Sequence, residues 1–184
     1  FAGTDGSGPV AAWDDVTPSA NEEAYALVAG TPTGPDGGTA GDNNWTYTNS
    51  EMMDGVTVML HFQPSHTTGD VKSTTEYGIK YTGVDGLTIG LAAGEDNGEG
   101  TTASLDITNM YVTYSMDAFS VGYQASESDS SASNADKDFT AIGISYAVSD
   151  DMSVSLNSST VEYENTSLSD QEAFGVSVSY TMGS

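Results

Sequence analysis

The sequence contains no cysteine and no arginine, and its only basic residues are Lys72, Lys80 and Lys137. Without cysteine there is neither a disulfide framework nor a thiolate metal site. Against three cations stand 27 acidic residues, for a formal net charge of −24. Nucleic-acid phosphates repel such a chain, which excludes DNA and RNA as partners. Long hydrophobic runs are also missing, and no stretch approaches the roughly 18 apolar residues of a spanning helix. The modest overall hydrophobicity suits a soluble protein, and equally a β-barrel in which only alternate strand residues meet lipid. A length of 184 residues suggests a single domain.

The placement of the acids is more informative than their number. They concentrate in Gly-, Ser- and Asn-rich stretches, whereas the segments between are rich in Val, Ile, Leu, Tyr and Met. Residues 1–44 are dense in Gly, Pro, Asp and Thr, as in Pro35-Asp36-Gly37-Gly38. The pattern predicts one long acidic loop carrying a short helix over Ser19–Val28, with Ser19 as its cap and Glu22 and Glu23 near its start. A loop of this length is usually functional or disordered.

From Trp45 to the end, residues 45–184, the chain alternates with period two, the signature of strands. Val56, Val58, Leu60 and Phe62 form one such series, and Tyr77, Ile79 and Tyr81 another. Further series are Leu87, Ile89 and Leu91, then Met110, Val112, Tyr114 and Met116, then Phe119, Val121 and Tyr123. The pattern returns in Ile142 to Val148, in Met152 to Leu156 and in Phe174 to Met182. With a shorter strand near Trp45–Asn49, about nine strands are expected. The fold class is all-β, an antiparallel up-and-down sheet.

Short and long connections alternate strictly. Gly83–Gly86, Asp117-Ala118 and Ser149–Asp151 read as tight turns. Pro64–Ser73, Gly94–Thr102, Glu127–Lys137 and Glu164–Asp170 read as long loops. A transmembrane barrel sorts its connections in this way, and a soluble sandwich has no reason to. Tyr81, Tyr114, Tyr146 and Tyr180 recur every 32 to 34 residues on the apolar parity, each just before a tight turn or the chain end. They are expected to form an aromatic girdle at one membrane interface, with Phe119 and Tyr123 as further girdle residues. On the same parity, Asp106, Glu162 and Glu172 enter only at the long-loop ends, where a strand would leave the hydrocarbon.

The opposite parity holds mainly Thr, Ser, Gly, Ala and Asn, together with His61, Glu76 and Lys80, which are expected to face a watery lumen. Small polar side chains leave room for water, whereas a packed soluble core needs bulk.

At this point the chain resembles the general-diffusion porins of Gram-negative bacteria, in particular those of alphaproteobacteria. The resemblance rests on the acidic stretch with Ala12-Trp13-Asp14-Asp15-Val16-Thr17-Pro18 and Glu22-Glu23-Ala24-Tyr25, on the hairpins, and on the last strand, Gly175 to Ser184. It implies an outer-membrane barrel of sixteen strands, with the loop after the fifth folded inward to narrow the pore. Residues 1–44 would be that loop and the strand near Trp45 the sixth, so five strands before Phe1 and two after Ser184 are expected to be missing. The function implied is passive diffusion of small hydrophilic solutes and ions, without catalysis. A homotrimer in contact with outer-membrane lipid and lipopolysaccharide is implied too. Asp14, Asp15, Glu22 and Glu23 become the pore-constriction candidates, whose negative charge would favour cations.

Other chemistries find little support. No His/Asp/Glu cluster has transition-metal spacing, and the Gly-rich run 34–41 lacks the Lys-Ser/Thr of a phosphate loop. No cofactor is expected; Glu95-Asp96-Asn97-Gly98-Glu99 and the loop with Glu127, Asp129 and Asp136 have the oxygen ligands for weak Ca²⁺ binding at most. The competing reading is a soluble, secreted, acidic all-β adhesin or binding module. It would pack the apolar sides of two sheets against each other.

Overall fold

The computed structural model describes residues 6–21, 23–24, 40–41, 43–66, 70, 72–98 and 100–181. A two-residue strand β1 (Gly6–Ser7) pairs with β2 (Ala40–Gly41), and a four-residue helix α1 (Pro9–Ala12) follows β1. Nine long strands then succeed one another: β3 (Trp45–Met53), β4 (Val56–Gln63), β5 (Thr74–Val84), β6 (Leu87–Asp96), β7 (Leu105–Met116), β8 (Phe119–Ser130), β9 (Lys137–Ser149), β10 (Met152–Tyr163) and β11 (Gln171–Tyr180). Each pairs antiparallel with its chain neighbour, giving one up-and-down sheet from β3 to β11. The sheet is not closed; β3 and β11 are its edges.

The tight turns at one end are built from local chemistry. Gly55 and Gly86 close two of them with φ of 72° each, a left-handed backbone that costs glycine nothing. Asp117 does the same with φ 50° in the β7–β8 turn, tolerated because its short polar side chain can bond locally. Asp117→Ile should therefore lower the unfolding free energy measured by denaturant titration by about 1–2 kcal/mol, and Asp117→Gly should not. The long connections all lie at the opposite end, as expected for such a barrel.

The two faces of the sheet differ sharply. Leu60, Tyr77, Leu91, Met110, Ile142, Leu156, Phe174 and Val176 share one face, and all are exposed. On the other face Thr74, Glu76, Asn109, Gln124, Ser126, Ser155 and Asn157 are buried, and Glu76, Asn109, Gln124, Ser155 and Asn157 lie beneath residues 10–20. The soluble reading required the aliphatic residues to meet in a dry interior. They instead look outward from a single sheet, while the polar side is the covered one.

The tyrosines follow a regular step. Tyr81 is in register with Ile89 and, through it, with Val112; Tyr114 lies two residues further along β7. Tyr114 leads through Val121 to Ile144, two residues before Tyr146. Tyr146 leads through Val154 to Val178, two residues before Tyr180. The step is one residue per strand throughout. With about 3.3 Å along a strand per residue and about 4.8 Å between strands, it corresponds to a tilt of about 35°, within the range of membrane barrels. Tilted so, the four rings stand at one height. The residue after each of them donates its N–H to the preceding tight turn: Thr82 to Gly55 O at 2.7 Å, Ser115 to Gly86 O at 2.9 Å, Ala147 to Ala118 O at 2.8 Å and Thr181 to Asp151 O at 2.8 Å.

Carboxylates mark the other end of the apolar face. Glu95, Asp106 and Asp129 stand opposite one another across β6–β8, as do Glu127, Asp138 and Glu162 across β8–β10. All are exposed, as is Glu172 on β11. Two expectations need correction. Strands β6 to β9 run further into the acidic stretches than alternation indicated, because the backbone ladder continues after both faces become wet. The helix lies at Pro9–Ala12, and Ser19, Ala20 and Asn21 are not helical. Residues 22 and 25–28 of the expected helix lie outside the described residues.

Candidate functional site at the inner face

Residues 8–21, with 23 and 24, lie across the covered face from β5 toward β11, and glycines on the strands make their seat. A Cβ on Gly78 would meet Pro9 Cβ at 2.7 Å and Trp13 Cη2 at 2.8 Å. One on Gly122 would overlap Pro18, one on Gly143 would lie 2.7 Å from Pro18 O, and one on Gly175 would lie 3.1 Å from Ala24 Cα. These positions stand on β5, β8, β9 and β11, so the seat extends across most of the sheet.

Wall side chains then fix the segment by its backbone. Glu76 Oε2 accepts the N–H of Val10 at 3.0 Å. The carbonyl of Trp13 accepts from Asn109 Nδ2 at 2.6 Å and from Gln124 Nε2 at 3.3 Å, and Gln124 also donates to Asn109 Oδ1 at 3.1 Å. Pro18 O accepts from Asn157 Nδ2 at 3.0 Å, and Ala20 N donates to Ser155 Oγ at 2.9 Å. Loops carry many backbone groups that a buried setting leaves without water, and here the wall amides and hydroxyls replace it.

Two apolar clusters complete the contact. Val10 and Trp13 pack with Ala92, Ile107 and Tyr111, and Trp13 meets Tyr111 edge-on with ring centroids 6.3 Å apart. Ala24 packs with Phe139, Ala141, Val161 and Ala173. Lys80 Nζ lies 6.0 Å from the centre of the Trp13 ring, within reach of a cation–π attraction.

The constriction candidates are placed as follows. Asp14 and Asp15 form the turn directly after Trp13, Asp14 half-buried and Asp15 exposed, with the N–H of Asp15 on Asp14 Oδ1 at 2.9 Å. Burial, and after it the negative charge of Asp15, hold the Asp14 carboxyl above the usual carboxylate range. Glu23 is half-buried beside Ala24, and Glu22 lies outside the described residues. The three residues expected to line the lumen, His61, Glu76 and Lys80, lie on the covered side of the sheet, and of them Lys80 is half-exposed. His61 is 2% exposed, its Nδ1 hydrogen-bonded to Thr46 Oγ1 at 2.8 Å, and Glu76 is 1% exposed. Glu76 lies between wall and segment, bonded to Val10.

The sequence reading missed Asn109, Gln124, Asn157 and Ser155 as holding residues. In the sequence they are three amides and a hydroxyl on a face rich in small residues, with nothing nearby to say what they hold. Among the described residues no group of three or more His, Cys, Asp or Glu is arranged to hold a metal ion. In the acidic loops, Asp96 Oδ1 accepts from Gly98 N at 2.8 Å and Asp136 Oδ1 from Ser130 N at 2.7 Å, so these carboxylates shape their own loops.

Compared with known families, the chain matches the model of the Gram-negative porins over residues 2–184. No curated protein matches it.

Proposed function

The chain belongs to the Gram-negative porin family, and from that premise we propose that residues 8–24 form the constriction of a pore that prefers cations. As a porin it resides in the outer membrane and acts as a channel for small hydrophilic solutes rather than as an enzyme. The observation that carries the finer reading is the pairing of faces. The exposed apolar face meets lipid, and the polar face, with its seated segment, meets the water of the lumen.

In this arrangement Tyr81, Tyr114, Tyr146 and Tyr180 form the girdle on the tight-turn side, and Phe119, in register with Tyr146, joins them. Tyr123 lies four residues above Phe119 on β8, which at a tilt of about 35° is about 11 Å higher. On this reading Tyr123 belongs to an apolar band of about 25 Å, below its upper edge. The carboxylates of the long-loop end stand above the band, in the water beyond the lipid.

Cation preference comes from Asp14 and Asp15, which the segment presents side by side, with Glu23 further along it. Fixed carboxylates in a narrow passage favour cations and hold back anions. Reversal potentials of single channels in planar bilayers, under a salt gradient and with protein expressed from its full reading frame, test this. The wild type should prefer cations, and Asp14→Asn should prefer them less. Because the Asp14 carboxyl is held above the usual range, it takes up its proton at a higher pH than a free aspartate. As pH falls, the preference should weaken in that raised range, and Asp14→Asn should lack this step. A pore that favours anions at neutral pH, or a titration unchanged in Asp14→Asn, refutes the assignment.

A further inference from the structure

We infer that Glu76 of the barrel wall is the residue that positions the constriction, by holding the segment at Val10 so that Trp13, Asp14 and Asp15 project where they do. This rests on reading the segment as the constriction. Three observations lead to it. Glu76 is 1% exposed on the covered face of β5, and its Oε2 accepts the Val10 N–H at 3.0 Å. Two residues before Val10 stands Gly8, where any Cβ would overlap that same carboxylate, and across the wall a Cβ on Gly94 would lie 2.7 Å from Glu76 Cγ. The carboxylate therefore fills a space that two glycines leave for it.

The chemistry of the other attachments makes this one distinctive. The wall holds Trp13 with the neutral amides of Asn109 and Gln124, Pro18 with that of Asn157, and Ala20 with the hydroxyl of Ser155. Of the hydrogen bonds just named, the one at Val10 uses an ionisable group. Burying a carboxylate is unfavourable unless hydrogen bonds compensate, and bonds to charged acceptors are stronger than neutral ones. The N–H groups that open a helix have no acceptor within it. Glu76 supplies one, at the end of the segment nearest the two aspartates. Asp14 comes four residues after Val10, with the rigid wedge of Trp13 between them, so a shift at Val10 is passed on to the acidic turn.

The chain has no cysteine, so a single thiol at Val10, itself 1% exposed, reports whether the segment is seated. In protein expressed from its full reading frame and assembled in membranes, Val10→Cys should react slowly with a water-soluble thiol reagent. Adding Glu76→Ala should speed labelling by about tenfold or more, the scale of one lost hydrogen bond to a charged group, and should also shift the reversal potential. Glu76→Gln, whose amide oxygen still accepts from Val10 but carries no charge, should label at a rate between those of the wild type and Glu76→Ala. Gly8→Val pushes on the carboxylate from the segment side without altering the wall, and should speed labelling even if Glu76→Ala fails to assemble. Protection of the thiol in both Glu76→Ala and Gly8→Val overturns the inference, as does Glu76→Gln labelling as fast as alanine. Labelling is read independently of current, so a protein that conducts nothing defeats the channel reading alone.

Discussion

Replacing Gly78 with leucine is expected to force Trp13 off the wall and to reduce single-channel conductance severalfold, with frequent brief closures. Gly78 lies on the covered face of β5, under the ring of Trp13 and against Pro9. A Cβ alone would already press on Pro9 Cβ at 2.7 Å and overlap the indole. Overpacking a tight contact costs about 1–3 kcal/mol, and here the indole has little room to yield. Its backbone carbonyl is held by Asn109 and Gln124, and Tyr111 stands at its edge. The strand behind it is locked in register with β4 and β6. The direction left open is away from the wall, toward the pore axis, and Asp14 and Asp15 would be carried with it. Gly78→Ala should give the same change at smaller amplitude.

A second readout separates displacement of the segment from general loss of structure. Trp13 and Trp45 are the two tryptophans of the chain. Trp45 lies on β3 and is exposed, while Trp13 is buried. In a Trp45→Phe background, Gly78→Leu should shift the Trp13 emission to the red as the indole meets water. Unchanged conductance together with unchanged emission would show that the glycine seat does not hold the segment.

The sheet was largely legible in the sequence because alternation is a local property. Loops Pro64–Ser73 and Glu164–Asp170 agree with the ends of β4, β5, β10 and β11 to the residue, since an apolar series stops there and turn-forming residues begin. The parity of each strand was legible for the same reason. The extension of β6 to Asp96 and the start of β9 at Lys137 were not. Beyond the apolar band both faces are wet, so hydrophobicity no longer alternates although the hydrogen-bond ladder persists. Helix α1 escaped too, for its four residues include two buried ones held against the wall. Such a helix is shaped by its contacts more than by propensity.

The attachments of the inner segment leave no local trace. Glu76 and Val10 are separated by 66 residues, Asn109 and Trp13 by 96, and Asn157 and Pro18 by 139. Each partner is unremarkable in its own neighbourhood. A glycine such as Gly122 or Gly143 reads in the sequence as a small residue on a strand. Only the path of the segment shows that its missing side chain leaves space for Pro18.

The faces themselves can be tested by placing one charge on adjacent residues of β9. Ile144 and Ser145 are neighbours on one strand but point to opposite sides. Ile144 is exposed on the apolar face, two residues above Tyr146 and near the middle of the outward series from Val148 to Asp138. Ser145 is half-buried on the polar face, opposite Ser120 on β8 and Ser155 on β10. A lysine at Ile144 would meet hydrocarbon near the midplane and should destabilise the folded protein by about 2–4 kcal/mol. The same lysine at Ser145 can extend into lumen water and should change stability by no more than about 0.5 kcal/mol, while adding a positive charge that weakens cation preference. Denaturant unfolding in lipid vesicles measures the first effect and reversal potentials the second. In a soluble sandwich Ile144→Lys would be costly as well, because its apolar faces are buried together, and the shifted potential at Ser145→Lys is what such a sandwich does not give. Equal tolerance at the two positions would therefore count against hydrocarbon on the Ile144 side. A large loss at Ile144→Lys with a shifted potential at Ser145→Lys would place lipid and water on opposite sides of the same strand.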